Sequence, residues 1–205
     1  MNVYVEANFV LEQALEQEQS ESCQRLLSLS TAGFIRMVIP AFSLAEPYIS
    51  VMHKGNERSK LGSELQRQLS ELGRSKTYRQ ASSSFIELTA LLISSAQGER
   101  AGLERTIQEI LKTAEVIPLD SDMFSRAAGI QTELDMSIQD SIVLASVVHH
   151  LRETKPAGSC FLNRNTKDFD DPNVREMLEE FSCKFFGGFD TGLQFIEAQL
   201  RKASQ

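Results

Sequence analysis

Apolar positions along this chain come as short runs and as helical stripes, and the two alternate from one end to the other. Asn2 to Val5 is a brief apolar run that reads as a strand. From Phe9 the spacing turns helical, with Val10, Leu11 and Leu15. Ser20 or Ser22 can cap a second helix through Leu26, Leu27 and Leu29, ended by Gly33. Phe34 to Ile39 reads as the second strand, stopped by Pro40, with a helix from about Ser43 to Met52. Gly55-Asn56 is expected to break the chain. Leu61, Leu65, Leu69 and Leu72 then share one helical face, and Gly73-Arg74-Ser75 is a further break.

Helices at about 77–94 and 99–114 follow, then a short strand from Val116 to Leu119 and a helix capped by Asp120 or Ser121. Ser137 to Arg152 is a strongly apolar helix, and His149 and His150 near its end suit the negative pole of the helix dipole. The strand Ser159 to Leu162, an acidic loop, a helix at about 173–181 behind Asp171-Pro172, the strand Cys183 to Phe186 and a helix from Thr191 complete the pattern. Strands separated by helices predict an α/β fold, a three-layer α/β/α sandwich around a central parallel sheet. At 205 residues the reading is a single domain over 1–205, with a helical insertion at about 54–114.

Composition narrows the class. Hydrophobic residues at 41% and charged residues at 24% exclude wholesale disorder. Three widely spaced cysteines, Cys23, Cys160 and Cys183, fit buried thiols in a reducing compartment rather than a disulfide framework. No basic, apolar leader precedes the first strand, and no apolar run approaches the ~18 residues of a membrane span. A cytoplasmic protein with no membrane partner is expected. The net charge of −7 is uneven: Lys54 to Arg79 holds seven basic and three acidic residues, leaving −11 elsewhere. A basic arm on an acidic body is compatible with contact to nucleic acid.

The chemistry-bearing residues lie where strands end. Ligands of open parallel sheets bind beyond the carboxyl ends of strands. Glu6 ends the first strand, Glu46 lies in the helix after the second, Asp140 opens the apolar helix, and Asp168 follows the strand ending at Leu162. Singly, each has an ordinary reading as a cap, a solvated face or a turn residue. Jointly, converging carboxylates repel unless a cation joins them, and oxygen donors suit Mg²⁺ or Mn²⁺.

The segments that carry these acids resemble those of the PIN-domain family. Val-Tyr-Val-Glu6-Ala-Asn8 is similar to its opening strand, Ile-Pro40-Ala-Phe-Ser43-Leu-Ala-Glu46 to its second motif, Ser-Ile-Gln139-Asp140-Ser-Ile-Val-Leu-Ala145 to its third, and Asn163-Arg-Asn165-Thr-Lys167-Asp168-Phe169 to its fourth. The resemblance implies a divalent-metal endoribonuclease with Glu6, Glu46, Asp140 and Asp168 as catalytic metal ligands. Asn8, Ser43, Gln139 and Asn165 would support them. RNA contacts are expected from Lys54, Arg58, Arg74, Lys76, Arg79, Arg164 and Lys167. An antitoxin or another protein partner and a homodimer also belong to what the resemblance implies. Two departures stand out: Glu6 replaces the family's usual Asp, and the segment between Glu46 and Asp140 is long. They leave open a PIN-like scaffold that binds RNA or a protein without cutting. A phosphatase or receiver domain fits less well, because those sheets use an Asp at the first strand.

Overall fold

The short apolar runs become strands because both of their faces are covered. They are β1 (Asn2–Val5), β2 (Arg36–Pro40), β3 (Glu115–Ile117), β4 (Ser159–Leu162) and β5 (Cys183–Phe186). The computed structural model describes residues 1–203 and pairs these strands into one all-parallel sheet in the order β3-β2-β1-β4-β5. Parallel strands buried on both sides need no alternation, which is why Val3, Tyr4 and Val5 are all apolar and all inaccessible.

Tyr4, Val38, Phe161 and Phe185 face a core built with α6 (Ser121–Leu134), α7 (Ile138–Thr154) and α9 (Pro172–Glu179), which follows the single-turn α8 (Thr166–Phe169). The other face is covered by α1 (Ala7–Ala14), α2 (Ser20–Thr31) and α10 (Phe189–Ala203). There Phe9 meets Phe189 edge-on at 5.4 Å. The architecture is therefore the α/β/α sandwich that the pattern predicts.

The chain divides into two units: Met1–Pro47 with everything from Thr106 onward, and Tyr48–Arg105. The sheet belongs to the first. The second is helical, formed from most of α3 (Ala41–Leu72), α4 (Arg79–Ser83) and most of α5 (Ile86–Thr113). Here the sequence reading needs correction, because Gly55-Asn56 and Gly98 interrupt nothing. Glycine costs a helix only about 1 kcal/mol, and two of the glycines in this unit permit close packing. A Cβ at Gly55 would lie 3.2 Å from that of Ala96, and one at Gly62 would lie 2.9 Å from Ile93 Cγ1. Opposed pairs 55 with 96 and 62 with 93 make the two helices antiparallel, and the Arg58–Glu99 ion pair spans them. Leu61, Leu65 and Leu72, expected on an apolar face, are exposed.

Two smaller corrections concern side chains. His150 does not serve the helix end; it turns inward, its Nδ1 2.8 Å from the Tyr4 hydroxyl. The acidic loop after β4 contains the helical turn α8. The three cysteines are buried and unpaired, and burial pushes the Cys183 thiol up to about 12. Among the described residues, no helix is long and apolar enough to cross a membrane.

Candidate active site

β1 lies between β2, the next strand in sequence, and β4, which the chain reaches only after crossing to the other side of the sheet. Such a switch point opens a crevice at the carboxyl ends of the two strands. Val5 pairs in register with Leu162, so Glu6 and Asn163 are the first residues past the sheet on either side of that crevice.

Glu6 is both the end of β1 and the N-cap of α1. Its Oε1 accepts from the Asn8 backbone N–H at 3.0 Å, which satisfies one of the free amides of the first turn. The residue is 6% exposed. Burial, opposed in part by the Asn8 hydrogen bonds and reinforced by the charges of Glu46 and Asp140, pushes its carboxyl up to about 8. Glu46 lies half-buried in the second turn of α3, and burial and the charge of Asp140 raise its carboxyl above the ordinary range.

Asp140 sits in the first turn of α7 because Ser137 caps that helix. The Ser137 hydroxyl accepts from the Asp140 N–H at 3.1 Å and donates to Asp140 Oδ2 at 2.6 Å. Asn165 Nδ2 donates to the other oxygen, Oδ1, at 3.2 Å. Glu6, Glu46 and Asp140, which are 134 positions apart at the extremes, thus feel one another's charge. Asp168 lies half-buried in α8 and, among the described residues, shares no hydrogen bond or ion pair with those three. Ser43 is fully buried, and its hydroxyl has no partner among the described residues. Gln139 is exposed.

The expected RNA contacts divide in two. Arg58 is bound to Glu99, and Arg164 is bound to Glu12 and Glu18, so both are spent within the chain. Lys54, Arg74, Lys76, Arg79 and Lys167 are exposed and, among the described residues, in no ion pair.

A carboxyl raised to about 8 chiefly by burial, and further by the charges of Glu46 and Asp140, marks a place where positive charge is missing. Among the described residues, no group of three His, Cys, Asp or Glu closes into a ready-made metal cage. The donors present are hard carboxylate oxygens, the chemistry that suits a divalent cation whose remaining positions are filled by water.

Two residues of this region escape the sequence reading. Asn163 is fully buried, and its Oδ1 accepts from Asn8 Nδ2 at 3.3 Å and from the Asn165 N–H at 2.7 Å. Its place one residue past a strand was visible, but its hydrogen bonds were not. Glu12 is 1% exposed and takes both Arg164 and the Gln19 N–H. A carboxylate among Val10, Leu11 and Ala14 was the one available signal.

Among comparisons with known proteins, a family model described as PIN domain matches residues 3–169. No curated protein matches the chain.

Proposed function

The chain belongs to the PIN-domain family, whose members are typically nucleases acting on RNA, and from that premise we propose that it is a divalent-metal-dependent endoribonuclease. The observation that carries the reading is the mutual repulsion of Glu6, Glu46 and Asp140 at the switch point of the sheet. Mg²⁺ or Mn²⁺ would be held by these acids, with Asp168 as a fourth ligand from α8. Bound there, such an ion supplies Lewis acidity at a phosphodiester.

The chain's own groups do the remaining work. Asn165 and Ser137 each donate to one Asp140 oxygen and so orient that carboxylate, and Asn8 fixes one oxygen of Glu6. Orientation set before substrate arrives is worth more than orientation gained during reaction. The exposed basic residues Lys54, Arg74, Lys76 and Arg79 would meet RNA phosphates, with Lys167 nearer the acids in sequence. The helical stretch at about 54–114 is then an insertion that carries most of this positive charge.

A PIN-like scaffold without cleavage is favoured by one observation. Glu6 is one methylene longer than the family's Asp and is protonated below about pH 8 when no cation is present. Cleavage of a mixed pool of structured and single-stranded RNA decides between the two. Wild type with Mn²⁺ should cut, chelator should stop it, and Asp140→Asn should lower the rate by roughly 10²–10³-fold. Mn²⁺ binding without cleavage by wild type would move the assignment to the scaffold.

A further inference from the structure

A bridge of three asparagines joins Glu6 to Asp140. The Asn8 backbone N–H donates to Glu6, Asn8 Nδ2 and the Asn165 backbone N–H both donate to Asn163 Oδ1, and Asn165 Nδ2 donates to Asp140. Asn163 is the hub. A backbone N–H can only donate, so the atom it meets is the amide oxygen, and the orientation of the Asn163 side chain follows. Both lone pairs of that oxygen are then in use.

The hub is anchored from two directions. Its own N–H donates to the Phe186 carbonyl at 3.1 Å, and the next residue, Arg164, is tied to buried Glu12 on α1. Asn163 also carries an expense: its Nδ2 is buried with no acceptor among the described residues. An aliphatic side chain there would avoid that loss. It would also remove the acceptor shared by the Asn165 N–H and Asn8 Nδ2, and that doubly used oxygen is what an asparagine supplies here.

We infer that Asn163 is a positioning residue that sets the separation of Glu6 and Asp140, and so the geometry in which they receive a divalent cation. It acts through Asn8 and Asn165. The cation part of this inference rests on the nuclease reading above; the bridge itself does not.

The test compares wild type, Asn163→Leu, which removes the acceptor, and Asn163→Asp, which keeps acceptor oxygens, loses the donor and adds a negative charge. Amide exchange by NMR in metal-free protein reads the bridge, Mn²⁺ titration reads the site, and thermal melting reports folding. Asn163→Leu should speed exchange of the Asn165 amide at least tenfold and weaken Mn²⁺ binding by roughly 10–100-fold, the range for groups that orient ligands. Asn163→Asp should keep the Asn165 amide protected and bind Mn²⁺ at least as well as wild type. A folded Asn163→Leu with wild-type affinity overturns the inference, as does an Asn163→Asp no better than Asn163→Leu. Should Asn163→Leu not fold, Asn8→Ala and Asn165→Ala each cut one arm of the bridge, and wild-type Mn²⁺ affinity in either overturns it. If wild type itself takes no Mn²⁺, the nuclease reading fails separately. The bridge is then judged on exchange alone, and unchanged Asn165 protection in Asn163→Leu rejects it.

Discussion

Single residues in this fold carry opposing demands, and Glu6 shows the sharpest case. Its carboxyl is held at about 8 in the folded chain against an ordinary 4.5. Between those values the folded state keeps a proton that the unfolded state has lost, so stability falls as pH rises through that window. The contribution is intact below about pH 4.5 and gone above about pH 8, by up to about 5 kcal/mol. Thermal midpoints in chelator at pH 5 and pH 8 should show Glu6→Gln with a flatter profile than wild type and the higher midpoint at pH 8. Parallel curves would mean that Glu6 is solvated. Arg164 poses the complementary problem, because removing it strands a carboxylate that is 1% exposed. Arg164→Ala should cost about 3 kcal/mol in urea melts, with much of it recovered by adding Glu12→Gln. Glu6 was legible in the sequence because it follows an apolar strand. The Glu12 partnership was not, since 152 positions separate it from Arg164.

At the scale of elements, periodicity located every strand, because an apolar run bounded by turn residues has few other uses. It misplaced helix ends at Gly55 and Gly98, whereas Gly33 and Gly73 do follow the ends of α2 and α3. Gly55 and Gly62 sit where α3 packs closely on α5, against Ala96 and Ile93, which are 41 and 31 positions away in sequence. The close approach makes a prediction: Gly62→Val would drive a side chain into Ile93 and the Thr89 carbonyl, costing about 1–3 kcal/mol. Hydrogen exchange should quicken within 48–105 while β1 and β4 stay protected. Uniform loss of protection would show that the two units unfold as one. The caps were easier to read. Asp120 and Asp171 both accept from the helix amides that their positions imply, at 2.8 Å each.

For the whole molecule the governing quantity is charge. Residues 48–105 hold nine Lys and Arg against six Glu, so the unit is +3 and the rest of the chain is −10. If RNA is gripped by the basic unit, replacing Arg74, Lys76 and Arg79 by Glu should weaken RNA binding. It should also flatten the salt dependence of binding, by about 0.7 in log–log slope for every phosphate of a single strand that is no longer neutralised. Mn²⁺ affinity should stay unchanged. An unaltered slope would remove the arm from the RNA-binding surface. The acidic remainder would then have to bind RNA through the cation and the exposed Lys167.

The pairing of β1 with β4 has a consequence for how the protein is made. Asn2 waits for Ser159, 157 positions later in the chain, which at the usual pace of translation is roughly 8–30 s. Through that interval Val3, Tyr4 and Val5 form the open margin of a half-built sheet, the kind of edge that recruits other chains. The same delay covers the crevice: Asn163 and Asn165 leave the ribosome after nearly everything they orient. A nascent chain therefore carries Glu6 and Glu46 long before it can hold them in register with Asp140, and whatever the crevice does begins only after Asn165 has emerged.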